Sequence, residues 1–180
     1  MLWSRKTSYL IVMAGLLALS GCGFRPLYNQ PAADSGGGYN VQTDMAAIDI
    51  LPIKDRIGQQ LRNLLLTRLN PNGSPTDPVY TLSISISESV QELGIKKSSF
   101  ATRANLRISA GYSLAPVAAG DAAAAPDLPN GKILAISSYD ISTYEFTTLT
   151  ARNDARRRAV REIADDLRTR LAVYFAQNRK

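Results

Sequence analysis

The side chains that most often carry chemistry are sparse in this chain. Cys22 is its only cysteine, and histidine is absent. A lone cysteine cannot close an intramolecular disulfide. Without histidine, neither a Ser-His-Asp nor a Cys-His relay has its base, and a Cys/His zinc or haem site lacks its ligands. Carboxylates are paired at Glu88/Glu92 and Asp165/Asp166. The first pair falls in a strand pattern and is expected on its solvent face. The second lies among arginines on a helix pattern. Both read as surface charge rather than as acid and base. There is no GxGxxG and no Walker sequence. The expectation is a protein that is not an enzyme and holds no metal.

What remains for the thiol is modification. Ahead of it runs "MLWSRKTSYLIVMAGLLALSGC", with Arg5 and Lys6 as a basic start, an apolar stretch from Tyr9 to Leu19, and small residues at Ser20 and Gly21. That is the layout of a secretory signal. The apolar stretch is short against the roughly 20 residues of a membrane span, although an uncleaved anchor is the competing reading. Leu19-Ser20-Gly21-Cys22 resembles the bacterial lipobox. That resemblance implies a diacylglyceryl thioether on Cys22, cleavage before it, and N-acylation of the new amine. Several acyl chains hold a protein stably at a membrane, at about 0.8 kcal/mol per buried methylene. Gly23 stands where an aspartate commonly retains such proteins in the inner membrane, so the outer membrane is implied, with the polypeptide in the periplasm. Loss of residues 1–21 removes Arg5 and Lys6 and lowers the net charge from +6 to +4.

The elements that would position the rest follow from periodicity. Residues 22–40 include "NQPAADSGGGYN" and read as a lipidated flexible tether. Residues 41–180 then form a single α/β domain. A first strand is expected in 41–53, strongest from Ile48 to Ile53. Ile57, Leu61, Leu64, Leu65 and Leu69 recur at helical spacing, with Asp55 as N-cap and Asn70-Pro71-Asn72-Gly73 as the stop. Residues 79–93 alternate, with Tyr80, Leu82, Ile84 and Ile86 on one face and Thr81, Ser83, Ser85 and Ser87 on the other. Residues 101–116 alternate likewise, and the two read as a long antiparallel hairpin. An Ala/Pro/Gly-biased loop over 116–131 leads into a strand over 132–146, with a bulge expected near Ser137-Ser138. A helix follows over 150–177, striped by Val160, Ile163, Ala164, Leu167, Leu171, Tyr174 and Phe175.

The order β-α-β-β-β-α predicts an α+β fold. It is a two-layer α/β sandwich, a four-stranded mostly antiparallel sheet with two helices on one face. The other sheet face is polar and either wet or docked. Charge adds a partner class. Residues 151–180 carry nine basic and four acidic groups. In a periplasmic lipoprotein that favours an anionic lipid, a membrane surface or an acidic protein wall over nucleic acid. A solvated helix face with Arg–Asp pairs explains the same residues. Lys96, Lys97, Arg103, Arg107 and Lys132 cluster near hairpin ends and on the polar sheet face. They could meet phosphates or simply guard strand edges.

Cys22, Gly23 and Phe24, followed by "RPLY", resemble the mature start of the LPS-assembly lipoprotein family, LptE. The element order, the polar-faced hairpin and the size are similar too. The resemblance implies a non-enzymatic lipoprotein that sits within the LptD β-barrel of the outer membrane. There it helps the barrel assemble and helps place lipopolysaccharide in the outer leaflet. Members bind lipopolysaccharide through basic residues, for which Lys96, Lys97, Arg103, Arg107 and Lys132 are nominated by charge and location. The alternative is an auxiliary lipoprotein of another envelope lipid-transport system.

Overall fold

In the computed structural model the described residues are 41–95, 101–117 and 128–178, with no side chain given for Gly94, Ile95 or Ala101. In chain order the elements are α1 (Val41–Ala46), β1 (Ile48–Ile50), α2 (Asp55–Leu69), β2 (Tyr80–Ile95), β3 (Ala101–Pro116), β4 (Asn130–Asp140) and α3 (Glu145–Gln177). The sheet order is β1-β2-β3-β4. β1 runs parallel to β2, and the other neighbours are antiparallel. This is the expected two-layer sandwich.

Its core is the even-numbered face of the hairpin. Leu82, Ala104, Leu106, Ile108, Ala110 and Leu114 are buried against Leu61 and Leu65 of α2 and Val160, Ile163, Leu167 and Leu171 of α3. Period two on the strands and period 3.6 on the helices bring these residues to one interface. Tyr80 and Phe175 close one end, ring centroids 5.4 Å apart.

Several local expectations are corrected. Residues 41–46 form a helical turn rather than strand, and only Ile48–Ile50 pair with β2. Met45 explains the switch, since it is fully buried and a helical turn delivers it to the core. Asp55 is the first residue of α2, not its cap. The N-cap is Lys54, which makes no side-chain capping bond. Asp55 instead takes φ 67°, a left-handed conformation that costs a non-glycine residue on the order of 1 kcal/mol or more. The sharp entry follows from Ile53, which folds under α2 so closely that only Gly58 fits above it. A Cβ at Gly58 would lie 2.5 Å from Ile53 Cγ2. The bulge at Ser137-Ser138 is absent, because the β3–β4 register is unbroken from Arg103↔Asp140 to Ser113↔Asn130. Ser137 simply occupies an inward position in phase with Ile133, Ala135 and Tyr139. β4 ends at Asp140, and α3 starts at Glu145, five residues before the expected 150.

The edges of the sheet are treated differently. Leu51 N–H donates to Leu82 O, so Ile48 and Ile50 turn their carbonyls outward. Both are covered from α2, Ile48 by Asn70 Nδ2 at 3.1 Å and Ile50 by Arg62 Nε at 3.0 Å. On β4, Arg158 Nη2 of α3 donates to Ser138 O at 3.0 Å.

Candidate functional site

Both helices lie on the even-numbered face, so the odd-numbered face of the hairpin carries no covering element among the described residues. Its rows follow from the register. Ser83 lies opposite Ser113, Ser87 opposite Ser109, Ser89 opposite Arg107 and Gln91 opposite Asn105. Across β3, Arg103 meets Asp140, Asn105 meets Ser138, Arg107 meets Ile136, Ser109 meets Leu134 and Gly111 meets Lys132. Short hydroxyl and amide side chains thus pave a sheet whose strands are 16 residues long in β2 and β3, about 50 Å. Ser138 Oγ and Asn105 Oδ1 are joined at 2.7 Å. The paving is low and hydrophilic, a surface that stays wet or meets another polar wall.

Arg103, Arg107 and Lys132 all project from this face, but they do not form one cluster. Arg103 is partnered across the strands by Asp140 at 3.2 Å. Lys132 stands opposite Gly111, about 26 Å along β3 from Arg103, with Arg107 between them. Lys96, Lys97 and Cys22 lie outside the described residues, as do the signal and the tether.

Two features were missed by the sequence reading. One is the large apolar side chains left in water. Leu134 and Ile136 are 54% and 45% exposed on the open face of β4. Tyr144, Phe146 and Leu149 are exposed where α3 begins. Ile141 N–H donates to Thr102 O at 3.0 Å, so that start lies at the Arg103 end of the sheet. Only the β3–β4 register reveals the β4 pair, setting Leu134 and Ile136 opposite Ser109 and Arg107 on the open face.

The other is Glu88. It was expected in solvent beside Glu92. The even phase of Leu82, Ile84 and Ile86 continues to Glu88, which puts its carboxylate under α3. Arg156 donates to it through Nε at 2.8 Å and Nη2 at 2.7 Å, and Arg152 adds Nη2 at 2.9 Å. Arg156 Nη1 also donates to Asn153 Oδ1 at 3.1 Å. Burial alone would push the Glu88 pKa up. The hydrogen bonds from Arg156 and Arg152, with their charges, outweigh that and hold the carboxyl below its ordinary range. The same fork raises Arg156. The site is a fastener between hairpin and helix. Much of the remaining basic face of α3 is also paired, through Asp154 with Arg157 and Arg158, Asp166 with Arg170, and Asp165 with Arg68 of α2. These pairs use acids of the segment itself, and one of them goes to Arg68, so the segment keeps its excess of basic groups although several are held in pairs. No described helix is long and apolar enough to cross a membrane.

No protein-family profile matches the chain, and no curated protein matches it. Solved structures do. A protein assigned as a lipoprotein from Caulobacter crescentus aligns at 21% identity over 79% of this chain and 99% of its own, with a TM-score of 0.60. A minor lipoprotein from Acinetobacter baumannii aligns at 15% identity over 70% and 91%, with a TM-score of 0.53. This chain shares their fold. Rare lipoprotein B from Shewanella oneidensis aligns at 16% identity over 71% and 94%, at a TM-score of 0.46, a likeness too loose to argue from. At these identities the match speaks for the architecture alone.

Proposed function

We propose that the protein is an outer-membrane lipoprotein, anchored through acyl groups on Cys22, that assembles with and plugs the LptD β-barrel and assists lipopolysaccharide transport to the outer leaflet. One observation carries the reading. A sheet with strands about 50 Å long packs helices on one face, while the other carries no covering element among the described residues and is rich in serine, asparagine and glutamine. A barrel lumen is polar, and a plug for it must be folded, hydrophilic on the contact side and tied to the same membrane. The lipobox supplies the tie. The two solved neighbours with TM-scores of 0.60 and 0.53 are described as lipoproteins, which supports an envelope lipoprotein in general terms. Arg107 and Lys132 on the open face, with the exposed Tyr144 and Phe146 at the Arg103 end of the sheet, supply cations and apolar groups of the kind an acylated, phosphorylated glycolipid would meet.

The test is affinity capture of the full-length lipidated protein from detergent-solubilised outer membranes. The expected result is co-recovery of a large outer-membrane β-barrel protein. Recovery of an inner-membrane lipid transporter and no barrel overturns the reading and favours an auxiliary lipoprotein of another envelope system. Depletion of the protein is expected to lower surface lipopolysaccharide. An unchanged surface level after complete depletion counts equally against it.

A further inference from the structure

The open edge of β4 is built differently from the rest of the sheet boundary. Leu114 N–H donates to Pro129 O, and Ile141 N–H donates to Thr102 O, each at 3.0 Å. With an unbroken register between them, the odd-numbered residues of β4 turn their backbone groups toward β3. The even-numbered ones, Lys132, Leu134 and Ile136 among them, turn theirs outward. Ser138 also faces outward, but its carbonyl is taken by Arg158. From Lys132 to Ile136 no partner is present among the described residues. The outward carbonyls of β1 are both covered from α2. β2 also has a free stretch beyond Leu82, where β1 ends. There the outward backbone belongs to Ile84, Ile86, Glu88, Val90 and Glu92, with Val90 38% exposed, and the two carboxylates among them place charge along that edge, which discourages strand addition. On β4 the free backbone coincides with Leu134 and Ile136, 54% and 45% exposed. A free edge flanked by exposed aliphatic side chains is a template for another strand.

We propose that β4 receives an extended segment of the partner barrel protein as a fifth strand, hydrogen-bonded to Leu134 and Ile136. This rests on the barrel-partner reading above and adds the mode of contact. A row of alternating N–H and C=O groups is matched by polypeptide and not by lipid. A second copy of this chain does not fit. Ile133, Ala135, Ser137 and Tyr139 on the inner side of β4 are all at most 8% exposed, because α3 lies over the edge strand itself. Paired strands are about 4.8 Å apart, whereas packed helix axes need about 8–10 Å. Edge-to-edge copies would therefore drive their α3 helices together. A lone strand without a helix above it fits. Strands of a closed barrel have no free edge, so the incoming segment comes from a loop or a terminal stretch of the partner. Its side chains on the open face meet Leu134 and Ile136, with Lys132 next along β4, which selects apolar residues next to an acidic one.

Hydrogen exchange read at single-residue resolution tests this on the full-length protein, free and in the captured barrel complex. In the free protein the amides of Leu134 and Ile136 should exchange quickly and those of Ile133 and Ala135 slowly. In the complex the two outward amides should slow by about 100-fold or more. Ile136→Pro removes an outward N–H only, and edge strands tolerate proline. It should lower barrel recovery about 10-fold or more, while Ile136→Thr, which keeps the amide, should lower it less. If the complex forms and the two amides exchange as in the free protein, the strand-addition proposal fails and the barrel reading stands. If no barrel is recovered, both fail. If the free chain sediments as a dimer with these amides already protected, the occupant is a second copy and the proposal is overturned.

Discussion

Replacing Glu88 with glutamine probes the fastener between the hairpin and α3. The substitution keeps size and shape but removes the charge that accepts three hydrogen bonds from Arg156 and Arg152. The Glu88 side chain is 16% exposed, and those of Arg156 and Arg152 are 26% and 38% exposed. The pair therefore sits between two regimes. An exposed ion pair is worth about 0–1 kcal/mol, and breaking a fully buried one costs about 3–5 kcal/mol. The bidentate geometry and the half-burial place Glu88→Gln at about 2 kcal/mol, because two guanidinium groups stay behind with a weaker acceptor. For a domain of this size that corresponds to a melting temperature lower by about 6 °C. The pH dependence carries the same signature. The folded-state pKa of Glu88 is held below its ordinary 4.5, so its contribution is complete above that value and is lost as pH falls through the lowered one. Urea melts of wild type and variant at neutral pH should differ by the full amount, and the difference should shrink as the carboxylate protonates. A cost below about 0.5 kcal/mol at neutral pH would refute the reasoning, since the carboxylate would then behave as a surface group. So would a gap between the two proteins that widens on acidification.

Gly58→Ala sets helix propensity against packing. Alanine is favoured over glycine inside a helix by about 1 kcal/mol, but the new Cβ would meet Ile53 Cγ2 at 2.5 Å and Ile53 backbone carbon at 3.2 Å. A net loss of about 1–2 kcal/mol in chemical denaturation is expected, and a gain would show that Ile53 moves aside freely. Leu106→Ala empties a fully buried position on the central strand and should cost about 2–5 kcal/mol by the same assay. Cys22→Ser should abolish incorporation of labelled fatty acid and release the polypeptide from membranes, while persistent labelling would contradict the lipobox reading. The double variant Arg107→Ala with Lys132→Ala should weaken binding of lipopolysaccharide measurably at low salt, with a smaller salt dependence than wild type. Unchanged affinity would remove the open sheet face as the contact.

The alternation of residues 79–93 and 101–116 was legible because each strand is amphipathic and long, and period two has one solution for which side is buried. The same holds for the aliphatic stripe of α3. The proposed lipidation of Cys22 rests on sequence alone. An enzyme that lipidates a cysteine reads a short linear stretch, and the missing histidine and second cysteine remove the competing uses of the thiol. Short elements were not legible. Three residues of β1 carry too little pattern to separate strand from turn, and Met45 chooses helix through a core that residues 41–46 do not contain. Glu88 shows the limit most clearly. Its type says surface and its phase says interior, and only the arginines that α3 brings over it 64 and 68 positions later decide between them. The β4 edge is a similar case. The exposure of Leu134 and Ile136 depends on which strand ends the sheet and where α3 lies across it. Sequence by itself determined the layered fold and the polar face. Tertiary structure decided which charges cancel, which strand edge is closed and which stays open, because those depend on contacts between segments far apart in the chain.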